Sequence, residues 1–131
     1  FRSAAERGDR IVLGAWLDDA LVATLTLLLD CPPNQPHRAE LAKMMTRPAF
    51  RGRGLARALV QAAEGLAAAH DRTLLVLDPA TDGGAAGLYQ GLGFTAAGII
   101  PDYALKPHGG LTGTLICWKR IGTLPPSHMP I

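Results

Sequence analysis

The stretch that most constrains this chain runs over residues 46–69, where an apolar segment passes through Arg51-Gly52-Arg53-Gly54 into a strongly helical pattern. From Gly54 onward Leu55, Leu59, Ala62, Leu66 and Ala69 recur at spacings of four, three, four and three, which predicts one face of an α-helix over residues 54–70. Strand, glycine turn and helix form the outline of an anion site. The first amides of a helix have no partner within it, the dipole is positive there, and glycines allow close approach of the backbone. The turn lacks the Gly-Lys-Ser/Thr ending of a Walker loop and does not complete GxGxxG. At this point it is either a phosphate cradle or a simple reversal of the chain.

The remaining elements fall around it. Residues 1–8 read as the end of a helix closed by Gly8, so that the chain is expected to lack its natural N-terminus. Residues 11–17 and 21–29 flank Asp18-Asp19 as a β-hairpin, the second run alternating Thr with apolar residues. The Pro-rich residues 31–36 are a loop, and residues 38–46 are a strand that enters the glycine turn. Residues 73–78 are almost wholly apolar, the pattern of a central strand covered on both faces. A loop over 79–84, a short helix over 85–92 ended by Gly93, and strands over 94–100 and 112–119 separated by a loop over 101–110 complete the pattern. The expected order β-β-β-α-β-α-β-β implies an α/β (α+β) mixed, mostly antiparallel sheet with helices packed on it. Residues 1–121 are expected to form one domain and 122–131 an irregular tail.

Composition excludes several classes. With 131 residues, 48% hydrophobic and 18% charged, the chain suits one small core, and no apolar run is long enough for a membrane helix. A cytoplasmic location is expected. Cys31 and Cys117 are too few for a disulfide scaffold, and neither they nor His37, His70, His108 and His128 show metal-ligand spacing. No metal is expected. Net charge is only +2, although Arg47, Arg51, Arg53 and Arg57 fall in one window. That cluster admits a nucleic-acid reading, but there is little aromatic interleaving, so no nucleic-acid partner is expected.

Two motifs in order carry a resemblance. Arg51-Gly52-Arg53-Gly54-Leu55-Ala56 matches Arg/Gln-x-x-Gly-x-Gly/Ala, and Leu88-Tyr89-Gln90-Gly91-Leu92-Gly93-Phe94 matches L-Y-x-x-x-G-F. On these residues the chain resembles the GNAT superfamily of acyl-CoA N-acyltransferases over residues 11–120, without that family's first strand and most of its first two helices. The resemblance implies that the backbone of Arg51, Gly52, Arg53, Gly54, Leu55 and Ala56 holds the pyrophosphate of acetyl-CoA. It also implies that Met44, Met45 and Thr46 lie where a diverging strand offers backbone groups to pantetheine.

Within the family, His37-Arg38-Ala39-Glu40, Leu77-Asp78, Pro101-Asp102-Tyr103-Ala104 and Pro107-His108-Gly109-Gly110-Leu111 are similar to the tabtoxin resistance protein and its relatives. Those enzymes acetylate a small amino-acid-like molecule. Carried over by motif, Glu40 and Asp78 are candidate bases on strands expected to be adjacent, and Tyr89 is the candidate acid and a cofactor contact. The chemistry has a use for such groups. An amine at neutral pH is mostly protonated, so a carboxylate must take its proton before it attacks a thioester directly. A phenol with a free pKa of about 10 can protonate the departing thiolate. Each has a structural alternative: Glu40 as a solvated strand residue, Asp78 as a loop cap and Tyr89 as a packed helix tyrosine.

The implied function is acetyl-CoA-dependent N-acetylation of a primary amine of a small molecule. The alternative is a non-catalytic or partner-completed acyl-CoA-binding module. A homodimer is compatible with an edge strand at residues 112–119.

Overall fold

The computed structural model describes residues 2–7, 9–81 and 86–122, of which the side chains of 2–7 and 86 lie outside the description. The chain divides within its fifth strand into two compact units, residues 1–75 with 120–131, and residues 76–119.

In the first unit, β1 (Arg2–Arg7), β2 (Arg10–Leu17), β3 (Ala20–Leu28) and β4 (Arg38–Thr46) pair antiparallel in sequence order. The β2–β3 connection is the expected two-residue hairpin. Asp18 (φ +49°) and Asp19 (φ +65°) are both left-handed, as a type I′ turn requires. Period-two burial then builds the core from cross-strand rows. Ile11 faces Leu27, which faces Leu41, and Leu13 faces Leu25, all of them buried. The Thr-bearing face of β3 is wetter at Thr24, although Thr26 is buried.

α1 (Leu55–Ala69) packs against β2, β3 and β4. Its buried residues are Leu59, Val60, Ala63 and Ala67. Of the five residues expected on its apolar face only Leu59 is buried, and Ala69 is exposed. In an Ala-rich helix, spacing alone identifies the face weakly, because several stripes are apolar and the fit to the sheet selects among them. Ala63 and Ala67, both without exposed surface, let the backbone approach the strands closely.

Residues 2–7 form a strand, which corrects the helical remnant expected there; Phe1 and Gly8 lie outside the described residues. Six residues are too few to show a period, and antiparallel pairing with β2 overrides the helix propensity of Ala4-Ala5-Glu6-Arg7. The start of β5 (Leu74–Leu77) is held by Thr73 N–H donating to the His37 carbonyl (2.8 Å) and Arg72 Nη1 to that of Arg38 (3.0 Å). Leu75 and Leu77 are buried while Leu74 and Val76 are half-buried, so one face is drier than the other, rather than both being closed.

In the second unit, α2 (Ala86–Gly91) is followed by the antiparallel pair β6 (Thr95–Leu105) and β7 (Leu111–Arg120), whose last residue falls in the first unit. Residues 82–85 of the expected loop and helix start lie outside the described residues, as does the tail from 123. The loop expected over 101–110 is a correction. β6 continues to Leu105 through a bulge between Ile100 and Ala104, with Asp102 left-handed (φ +53°), and the turn occupies only Lys106–Gly110. Proline is tolerated here because β6 pairs with β7 on one side and bulges at Pro101. Nor is β7 an edge. Its second side takes Leu115 N–H to the Pro79 carbonyl (3.0 Å), while Gly113 accepts from Thr81 N–H (3.0 Å), leaving β6 as the exposed edge of this unit.

The observed α1 face is testable by truncation. Leu59→Ala should cost about 2–5 kcal/mol of unfolding free energy, whereas Leu66→Ala, at a half-buried position, should cost less than half as much in urea titrations.

Candidate functional site

The glycine turn is built as a break between β4 and α1. Arg47 N–H still donates to the Val22 carbonyl (2.8 Å), after which Pro48–Phe50 makes one 3-10 turn. Gly52 (φ +78°) and Gly54 (φ +76°) are left-handed, a conformation that costs a side-chain-bearing residue about 1–2 kcal/mol. A Cβ at either position would meet nothing within 4 Å, so the space in front of the turn is open.

Gly54 is also the N-cap of α1. It supplies no side chain to cap the helix, and the first turn contains no acidic residue. The first intrahelical bond is Ala58 N–H to the Gly54 carbonyl (3.0 Å), so the amides of Leu55, Ala56 and Arg57 precede the helical ladder. Donors, dipole and space point the same way, and they suit an anion such as a pyrophosphate. Arg51, Arg53 and Arg57 are exposed around it. The Arg53 guanidinium sits 5.1 Å from the centre of the Phe50 ring, which engages it locally.

Beside the turn lies a cavity of about 410 Å³, whose lining includes Leu21, Thr24, Met45, Thr46, Arg47 and Arg51. Its largely apolar lining, with Arg47 and Arg51 among its residues, suits an amphipathic anionic ligand. Of the residues expected to meet a cofactor, Met45, Thr46 and Arg51 line this space. Met44 is half-buried and lies outside the lining.

Sequence reading missed a feature of β4. Its register against β3 runs from Met45 opposite Thr24 to Ala42 opposite Thr26, three steps against two, which is a β-bulge at Lys43 and Met44. Lys43 is left-handed (φ +57°), a conformation rarely taken by a long side chain. Such a bulge turns local backbone groups out of the ladder next to the turn. A lysine amid apolar residues carries no bulge signature, so the sequence offered no signal for it.

The three proposed acid–base residues divide between the units. In the first, Glu40 is part-exposed and its carboxylate is engaged by Arg38 Nη1 at 2.6 Å, while Arg38 Nε donates to Gln35. In the second, Asp78 is exposed just beyond β5, and its backbone carbonyl accepts from Thr114 Oγ1 (2.8 Å). Tyr89 on α2 is only 5% exposed, with its ring edge-on to Phe94 at 5.8 Å. Burial, with a smaller contribution from Cys117, raises its phenol above the ordinary tyrosine value, so it is held in the proton-bearing form. The corresponding stability is fully present below that ordinary value and is lost as pH rises through the higher folded one.

Among the described residues no group of three or more His, Cys, Asp and Glu side chains could hold a metal ion, and no helix is long and apolar enough to cross a membrane.

The turn yields a direct check. Gly54→Val should lower stability by about 1–2 kcal/mol through its left-handed φ and weaken binding of a coenzyme A ligand by tenfold or more, read by calorimetry. Arg53→Ala should change that affinity far less.

Solved structures with similar folds share this architecture. The ribosomal-protein-alanine N-acetyltransferase from Brucella melitensis superposes with a TM-score of 0.76 at 21% identity, over 85% of this chain and 68% of that one. A GNAT-family acetyltransferase from Streptococcus pneumoniae gives 0.76 at 24% identity, over 86% and 67%. The Salmonella typhimurium protein yncA, solved with its cofactor acetyl-CoA, gives 0.79 at 18% identity, over 88% and 67%. At these identities the likeness establishes the fold. The family itself is established by a family model matched over residues 1–94, which include the bulged strand, the glycine turn and Tyr89: the chain belongs to the Acetyltransferase (GNAT) family.

Proposed function

We propose that this N-acetyltransferase transfers the acetyl group of acetyl-CoA to the primary amine of a small, amino-acid-like molecule by direct attack. The observation that carries the donor half is the uncapped N-terminus of α1, opened by two left-handed glycines next to a bulged strand. The backbone of Gly52, Gly54, Leu55 and Ala56 would hold the pyrophosphate, and Met44, Met45 and Thr46 would meet the pantetheine arm. Acetyl-CoA supplies an activated thioester. The acceptor half rests on the likeness of the segments at Glu40, Asp78 and residues 101–111 to tabtoxin resistance protein-like enzymes.

In this reading a carboxylate removes the ammonium proton of the acceptor. The two candidates for that base are Asp78, exposed just beyond β5, and Glu40, whose carboxylate is engaged by Arg38. Tyr89, whose phenol is protonated at neutral pH, gives its proton to the thiolate that leaves.

Acetyl-CoA at one hundred times its Kd should stabilise the protein by about 2.7 kcal/mol, seen as a rise in Tm. Amines that accept the acetyl group should release thiol stoichiometrically. Stabilisation without turnover on any amine would leave only a coenzyme-binding module. Tyr89→Phe should lower kcat by about a hundredfold with little change in KM for acetyl-CoA, and unchanged turnover would remove the acid role. Asp78→Asn and Glu40→Gln, assayed separately, identify the base: the variant at the base should lower kcat by about a hundredfold, and full activity in both would remove the carboxylate step.

The reading includes self-association through the β6–β7 hairpin, where Ile99 (64%), Leu105 (77%) and Leu111 (53%) are exposed. Sedimentation should show a concentration-dependent dimer that Leu105→Lys dissociates; a monomer at every concentration would end this part of the reading.

A further inference from the structure

α2 is six residues long, too short to hold its own shape, so the pose of Tyr89 depends on what the end of the helix is tied to. Three ties converge there. Phe94 N–H donates to the Tyr89 carbonyl (3.0 Å), closing the helix through Gly93 in a left-handed conformation (φ +94°). Lys119 Nζ donates to the carbonyl of Leu92 (2.8 Å), one of the terminal acceptors that a helix cannot satisfy itself. The same ammonium stands 5.8 Å from the centre of the Phe94 ring, which meets the Tyr89 ring edge-on at 5.8 Å with the planes 74° apart.

The lysine stem lies against the turn as well. A Cβ at Gly93 would come within 3.3 Å of Lys119 Cε, so the residue that ends α2 also makes room for the lysine. Phe94 and Tyr89 are both buried, which leaves the rings little freedom once this end is fixed. Cys117 and Lys119 are two residues apart on β7 and so share a face of the strand. Cys117 is the titratable group that acts on the phenol, while Lys119 reaches the end of the helix.

We propose that Lys119 is a positioning residue for Tyr89, tying down the end of α2 through the Leu92 carbonyl and bracing the Phe94 ring against which the phenol ring stands. The inference rests on the acid role proposed for Tyr89, but its first readout is independent of that role.

The chain has two tyrosines, so in a Tyr103→Phe background the tyrosinate absorbance reports Tyr89 alone. Lys119→Met keeps the length of the stem and removes the donor and the charge, whereas Lys119→Arg keeps both. In the methionine variant the Tyr89 titration midpoint should fall toward the ordinary tyrosine value, because a loosened helix end admits water. Its kcat should drop about tenfold while KM for acetyl-CoA changes less than about twofold, and Lys119→Arg should restore both within about twofold. A midpoint and kcat equal to those of the parent would overturn the proposal, as would a fall in Tm alone with neither of them moved. Should Lys119→Met fail to fold, Phe94→Leu removes the brace with the lysine in place and must shift the same two quantities, or the proposal fails. Tyr89→Phe run in parallel separates the two ideas. Full turnover there removes the acid role, while a moved midpoint in Lys119→Met still supports the positioning.

Discussion

The seating of α1 on β2, β3 and β4 is the constraint on which the proposed donor site depends. Leu59, Val60, Ala63 and Ala67 are fully buried, and they fix the helix axis against rows of Ile, Leu and Ala from the strands. Once that axis is fixed, the first amides of the helix point in one direction, and the chain leaving β4 must turn sharply to meet them. Gly52 and Gly54 in left-handed conformations make that turn possible without filling the space ahead of it. The anion site proposed at this turn is thus a by-product of core packing, with the exposed arginines added around it.

The acid–base roles proposed for Tyr89 and Glu40 rest on a different principle. Tyr89 is buried on a very short helix, and its burial does two things at once: it holds the ring in one place and keeps the phenol protonated. Both depend on the end of α2, where Gly93, Phe94 and Lys119 meet. Glu40 shows the opposite case. Its carboxylate is held by Arg38 close to the start of β4, and that engagement competes with proton transfer.

Much of the fold was legible because its signals are local. The Asp18-Asp19 hairpin, the strand over residues 38–46 and the helix begun at Gly54 follow from turn chemistry and period, and they stand where expected. The misread segments share a non-local cause. Residues 2–7 are strand because β2 pairs with them, and β6 runs through Pro101 because an edge strand can bulge there. The buried stripe of α1 was ambiguous for another reason, since alanine is apolar on every face.

By itself the sequence determined that a glycine turn joins strand to helix, that a tyrosine follows on a short helix, and hence the GNAT resemblance; these depend on residue types and short spacings. Tertiary structure alone decided that β4 bulges at Lys43, that α1 turns its Leu59–Ala63–Ala67 stripe inward, and that Lys119 reaches Leu92 from a strand 27 residues away. These are pairings between segments distant in the chain or choices among equally apolar faces, and register and packing settle them where local propensity cannot.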